Sequence, residues 1–200
     1  MRLGLTGSLG SGKTTISNLL KDRGAIVIDA DALAHEATKP GAEGFHTILE
    51  EFGTEYLQSD GTLDRKKLGS YVFSHPEALA RLEKIVHPLV RKMELELLEE
   101  YRNEPLVVLS VPLLLENGLE IYVDKVLVVT ISESERYARL TKNYGLSREE
   151  IENRLKNQMP QEEKIKMSDY IIDNSGSLEQ SRKQVDLLLE KLVQKKGKKG

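Results

Sequence analysis

Gly7-Ser8-Leu9-Gly10-Ser11-Gly12-Lys13-Thr14 follows an apolar run at the start of the chain and fits the pattern G-x-x-x-x-G-K-[ST]. Each residue type in that pattern has a physical task. Glycines let the backbone take positive φ, so successive amide N–H groups turn inward and cradle phosphate oxygens. Thr14, Thr15 and Ile16 open a helix whose N-terminal dipole adds to the attraction for an anion. Lys13 brings a mobile ammonium to the β- and γ-phosphates, and the Thr14 hydroxyl can ligate Mg²⁺. Leu3 to Leu5 read as the end of a buried strand, and Ile16, Leu19 and Leu20 as one helix face. That strand–loop–helix context separates a nucleotide-phosphate loop from a glycine-rich turn that matches by chance.

Working outward, five short apolar runs read as buried parallel strands: Arg2 to Thr6, Ala25 to Asp29, Leu106 to Val111, Lys125 to Ile131 and Tyr170 to Ile172. Helical patterns separate them, which predicts an α/β fold: a five-stranded, mainly parallel sheet flanked by helices. Ligands of such sheets bind beyond the carboxyl ends of the strands. About 75 residues separate the second run from the third, far more than one crossover helix needs. In that block Gly44 to Phe52 and Arg65 to Phe73 read as short helices, and Pro76 to Glu100 as a long one interrupted at His87-Pro88. Ser59-Asp60-Gly61-Thr62 between them is a turn. The expected organisation is a nucleotide-binding core of 1–38, 104–132 and 168–200, with a helical acceptor lobe at 39–103. Residues 133–167, polar and strongly charged, suit a mobile helical lid, with a capping box at Ser147-Arg148-Glu149-Glu150.

Composition narrows the class. The 200 residues, 39% hydrophobic and 30% charged, describe an ordinary globular protein with one good core. A net charge of −3 gives no global attraction for nucleic acid or an anionic membrane surface. The absence of cysteine removes disulfides, thiolate zinc sites and cysteine nucleophiles, and fits a reducing compartment. No apolar stretch approaches the roughly 20 residues that span a bilayer. The first residues enter the phosphate-loop strand directly and so do not read as a signal peptide. A cytoplasmic enzyme without nucleic-acid or membrane partners is the expectation, and the tail Lys195-Lys196-Gly197-Lys198-Lys199-Gly200 reads as a solvated end.

A phosphate loop serves GTPases, motors and small-molecule kinases alike. A guanine-specifying N-K-x-D or T-K-x-D is lacking, since Thr141-Lys142-Asn143-Tyr144 has no aspartate. The D-x-x-G at Asp173 to Gly176 falls after the last strand, too late for a metal-binding switch. A motor should carry a carboxylate at the end of its third strand, where Leu106 to Val111 runs into Pro112. A small-molecule kinase fits better, with an acceptor lobe and a lid to exclude water. Its acceptor hydroxyl needs a carboxylate to orient it and take its proton. Asp29 and Asp31 end the second strand. One of them is expected to cap a helix over Ala32 to Thr38, and Asp31 is the choice for chemistry.

Taken in order, these segments resemble the dephospho-CoA kinase family over nearly the whole chain. The resemblance is carried by Leu5-Thr6-Gly7 with Gly10 to Thr15, Val27-Ile28-Asp29-Ala30-Asp31 and Asp60-Gly61-Thr62-Leu63-Asp64-Arg65. It continues through His87-Pro88, Val111-Pro112-Leu113-Leu114-Leu115-Glu116 and Ser168-Asp169-Tyr170-Ile171-Ile172-Asp173-Asn174-Ser175-Gly176. The resemblance implies transfer of the ATP γ-phosphoryl group to the ribose 3′-hydroxyl of dephospho-CoA, giving coenzyme A and ADP. It implies ATP contacts from Gly10, Ser11, Gly12, Lys13, Thr14 and Thr15, and a base at Asp31. Where the family often has glutamine and two arginines in the lid helix, this chain has Arg136, Arg139 and Asn143, so Arg139 is the lid arginine expected at the nucleotide. Arg148 and Arg154 read as solvent-facing charges. His35, His46, His75 and His87 lack metal-ligand spacing, and Glu116, just after a strand, has no assigned role.

Overall fold

The structure, a computed structural model, describes residues 1–196. Its elements in chain order are β1 (Arg2–Gly7), α1 (Lys13–Lys21), β2 (Ile26–Asp29), α2 (Ala30–Ala37), α3 (Glu43–Phe52), α4 (Arg65–Ser74) and α5 (Pro76–Glu100). Then follow β3 (Val107–Ser110), β4 (Lys125–Thr130), α6 (Glu133–Tyr144), α7 (Arg148–Leu155), α8 (Gln161–Lys166), β5 (Tyr170–Asp173) and α9 (Leu178–Lys196). All five expected strands are present, and they form one parallel sheet in the order β2-β3-β1-β4-β5. β3 therefore lies between β2 and the phosphate-loop strand, which are not neighbours. Gly197 to Gly200, most of the basic tail, lies outside the described residues.

Two compact units make up the chain, Met1–Ile28 with Tyr101–Gly200, and Asp29–Glu100. In the first, β1 is central because both its faces are covered. Leu3 and Leu5 are fully buried and share a cluster with Val108, Leu127, Val129 and Ile172 of neighbouring strands. Ile16, Leu19 and Leu20 of α1 and Val185, Leu188 and Leu192 of α9 close that face at helical spacing. Each such burial is worth about 1.5–3 kcal/mol. On the other face Gly4 lets Leu114 approach so closely that a Cβ would stand 2.8 Å from its methyl.

The second unit is helical, with its own core of Phe45, Ile48, Phe52, Leu68, Val72 and Ala78. The expected break at His87-Pro88 is absent, and α5 runs unbroken from Pro76 to Glu100. Pro88 removes one hydrogen bond and crowds the preceding turn, but α5 packs along α2, α3 and α4, and that burial outweighs a local cost of about 3 kcal/mol. Thr62 N–H donates to Asp60 Oδ1 at 2.9 Å, which makes Asp60 to Thr62 the turn the residues suggest. Glu94, on α5, is nearly inaccessible, and burial raises its carboxyl pKa against the opposing charge of Arg91.

Candidate active site

β1 delivers the chain into a loop that closes on Gly12, the N-cap of α1, at φ 84° and ψ 31°. Gly10 also has positive φ, 76°, so the two glycines the motif places here supply the left-handed turns. Ser11 N–H donates to the Ser8 carbonyl at 3.0 Å and tightens the loop. Gly7 is needed for a different reason: a Cβ there would meet the Val129 carbonyl at 2.7 Å. The hydroxyls of Ser8 and Ser11 are buried with no hydrogen-bond partner. Buried donors left unsatisfied in a loop of inward amides fit an anion supplied by a ligand.

Lys13 is half-buried, and its ammonium donates to Ser110 Oγ at 2.7 Å, not to open solvent as its position in the motif suggests. Ser17 Oγ lies 3.1 Å from the same Ser110 hydroxyl. Thr14 is exposed and Thr15 half-buried on the first turn of α1. Thr6 Oγ1 donates to the Pro112 carbonyl at 2.9 Å, tying β1 to the segment after β3.

A cavity of about 510 Å³ opens over this loop. Gly10, Ser11, Gly12, Lys13, Thr14, Thr15 and Arg139 all line it, so the structure gathers every expected nucleotide contact of this unit in one place. Asn143, Gln158 and Arg154 line it as well. Arg154, read in the sequence as a solvent-facing charge, thus faces the cavity, whereas Arg148 pairs with Glu152 at 2.8 Å and lies over the Tyr137 ring. Arg139 donates to Glu135 Oε1 and to the Asn174 carbonyl, both at 2.8 Å. Arg136 is buried, bonded to Gln161 Oε1 at 3.0 Å, and burial lowers its pKa against the raising effect of Glu162, Tyr137 and Glu133.

The segment 133–167 contains three helices, α6, α7 and α8. Ser147 and Glu150 form the expected capping box at the start of α7. Its far end is anchored. Lys164 is fully buried and pairs with Glu116 Oε1 at 2.8 Å, and Met159 N–H donates to the same oxygen at 3.0 Å. Glu116 thereby acquires a structural task. Gln158, next to that anchor, accepts from the Leu9 N–H of the phosphate loop at 2.9 Å. Neither Gln158 nor Ser110 stands out in the sequence, because each is tied to the loop across about a hundred residues or more.

In the second unit Asp29 is the N-cap of α2, its Oδ1 accepting from Asp31 N–H at 2.9 Å and Ala32 N–H at 3.2 Å. The capping role therefore falls on Asp29. Asp31 is an exposed residue of the first turn, and the helix begins at Ala30, earlier than the expected Ala32. Arg65 is held by α2 through the Thr38 hydroxyl at 2.7 Å. Among the described residues no group of three or more His, Asp or Glu side chains could hold a metal ion, and no helix is long and apolar enough to cross a membrane.

The family model described as dephospho-CoA kinase matches residues 1–180. A dephospho-CoA kinase of Symbiobacterium thermophilum is 48% identical, covering 92% of this chain and 78% of that protein. A crystal structure from Thermus thermophilus superposes with a TM-score of 0.78 at 40% identity, over 96% of this chain and 97% of that one. The dephospho-CoA kinase from Campylobacter jejuni superposes with a TM-score of 0.68 at 29% identity, over 96% of each chain.

Proposed function

The chain belongs to the dephospho-CoA kinase family, and from that membership we infer that it transfers the γ-phosphoryl group of ATP to the ribose 3′-hydroxyl of dephospho-CoA, forming coenzyme A and ADP. It is a phosphotransferase acting on an alcohol group at the last step of coenzyme A synthesis. The observation that carries the chemistry is the phosphate loop, with Gly10 and Gly12 at positive φ, the inward hydroxyls of Ser8 and Ser11, and Lys13 beside Ser110.

In our reading Gly10 to Thr15 bind the ATP phosphates, and Lys13 leaves Ser110 to neutralise charge on the transferring group. Arg139 adds positive charge from the lid side. Thr14, an exposed residue at the helix start, would hold Mg²⁺ through its hydroxyl, and the ion would supply charge neutralisation for the phosphates. Asp31 is the proposed base. It follows β2, and parallel sheets collect their ligand-binding residues beyond the strands' carboxyl ends. The carboxylate orients the 3′-hydroxyl and takes its proton late, because a metaphosphate-like transition state needs little nucleophilic push. Residues 39–103 form the acceptor lobe and 133–167 the lid in this reading, and a cytoplasmic setting suits the cysteine-free composition.

ADP release measured with and without dephospho-CoA tests the reading. Acceleration by dephospho-CoA, with none by adenosine, nucleoside monophosphates, shikimate or gluconate, is the expected result. Equal acceleration by any of the others would redirect the assignment to a different small-molecule kinase.

A further inference from the structure

Asn174 follows β5 directly, is only 4% exposed and bonds both the phosphate loop and Arg139 without lining the cavity. Its own N–H donates to the Thr130 carbonyl at 2.9 Å, which extends the β4–β5 pairing and fixes its backbone. Its side-chain Nδ2 donates to the Ser11 carbonyl at 2.8 Å. Ser181 Oγ, fully buried on α9, donates to Asn174 Oδ1 at 2.7 Å. The Ser11 carbonyl, which can only accept, decides which way the amide faces, because a flipped amide would set its oxygen against it; Ser181 then completes the pairing by donating to Oδ1. The backbone carbonyl of Asn174 accepts from Arg139 at 2.8 Å.

A trans peptide points its C=O and the following N–H in opposite directions. Holding the Ser11 carbonyl against Asn174 therefore directs the Gly12 N–H to the other side, into the loop. The contact is tight enough that a Cβ on Gly12 would overlap Asn174 Nδ2, so the Asn174 amide and the bare, left-handed Gly12 are one fitted unit.

We propose that Asn174 is a positioning residue for the ATP phosphates. It sets the Ser11–Gly12 peptide with its side chain and Arg139 with its backbone carbonyl, and Ser181 holds its Oδ1 from behind. The identity of the anion rests on the functional reading above. The side-chain half of the arrangement is open to substitution, while the bond to Arg139 survives any side-chain change.

The test is titration calorimetry of the whole protein with ATP and Mg²⁺ in the absence of acceptor, beside KM values for both substrates. Asn174→Ser removes the amide without adding charge, and should weaken ATP binding about tenfold or more while the KM for dephospho-CoA changes less than twofold. Asn174→Asp should weaken ATP further, since a carboxylate cannot donate to the Ser11 carbonyl and repels the phosphates. Ser181→Ala, which leaves the buried Oδ1 of Asn174 without its donor and loosens the side chain, should give a smaller loss of a few-fold. Wild-type ATP affinity in Asn174→Ser and Ser181→Ala would overturn the proposal. So would a parallel loss of affinity for both substrates with a lowered melting temperature, the pattern of a merely structural residue. Because the titration needs no acceptor, failure of the wild type to phosphorylate dephospho-CoA would count against the functional reading alone.

Discussion

Lys13 Nζ stands 2.7 Å from Ser110 Oγ, so the cation of the phosphate loop has a resting place at the end of β3 before any phosphate arrives. Lys13→Ala removes charge from the transferring γ-phosphoryl group and should lower turnover by about 10² to 10⁴-fold, the range for an electrostatic stabiliser. The ammonium is half-buried and bonded, so the substitution should also cost stability, though no more than about 1.5–3 kcal/mol, the worth of one charge-assisted hydrogen bond. Steady-state turnover and urea melts check the two effects separately. Near-normal turnover would contradict the role given to Lys13. Ser110→Ala, which removes the resting partner of Lys13 together with the contact to Ser17, should reduce turnover by less than about tenfold.

Lys164 and Glu116 predict a stability effect with a different signature. The ammonium is fully buried and the carboxylate largely so, at 2.8 Å. Lys164→Met leaves the Glu116 carboxylate in place without its cation and should cost about 3–5 kcal/mol, as for removal of one partner of a buried pair. Adding Glu116→Gln should recover part of that loss, because an amide is cheaper to bury than an unpaired charge. Denaturant melts of both single variants and the double variant measure the coupling; additive losses would mean that the pair is not energetically joined.

Hydrogen exchange tests the lid. The anchors at Lys164 and Gln161 tie α8 to the segment after β3 and to Ile131, whereas α7 and the turn before it carry mostly exposed residues. Amides of 141–157 should therefore be poorly protected without ligand and gain protection with nucleotide and acceptor, while those of 161–166 stay protected throughout. Uniform protection of 133–167 in every ligand state would make the whole segment a fixed part of the core.

What the residues disclose and what they conceal follows from distance along the chain. The inner strands β1, β3 and β4 are legible because a sheet covered on both faces buries nearly all their positions, so apolar runs mark them directly. The phosphate loop is legible because its eight residues are contiguous and each has one local task. Asn174 bonds Ser11 across 163 positions, so no local pattern announces that contact, although its other partner, Ser181, lies only seven positions on in α9. The course of α5 through Pro88 is concealed for a related reason. Proline's local penalty is visible in the sequence, whereas the packing along three other helices that overrides it is not.

Glu94 should make the stability of the helical unit depend on pH. Its carboxyl pKa is raised in the folded state by burial, with Arg91 at 3.4 Å opposing the shift. The folded state then binds more protons than the unfolded one above the ordinary carboxyl range, so stability falls as pH rises from about 4.5 through the raised value. Glu94→Gln cannot titrate. The difference in unfolding free energy between wild type and variant should therefore move against the wild type with rising pH, by at most about 1.4 kcal/mol per pH unit. A difference that is flat between pH 4 and 8 would show that Glu94 ionises alike in both states.

Asp31 and Asp29 are separated by the start of α2, and the structure gives them unequal tasks. Asp29 spends one carboxylate oxygen on the amides of Asp31 and Ala32, and asparagine caps as well as aspartate, so Asp29→Asn should leave stability nearly unchanged and affect turnover only modestly, whereas Asp29→Ala should cost the helical unit about 0.5–2 kcal/mol. Asp31 lies one residue inside the helix on its exposed side, where its side chain serves no cap. Asp31→Asn keeps the shape and one acceptor oxygen but cannot take the proton of the 3′-hydroxyl at neutral pH. Turnover should fall by about 10² to 10⁴-fold, the range for a positioned general base, while ATP affinity stays close to normal. Both variants are to be measured at saturating ATP and dephospho-CoA, with ATP titrations alongside. Should Asp29→Asn lose activity while Asp31→Asn keeps it, the base is Asp29 and the assignment to Asp31 falls.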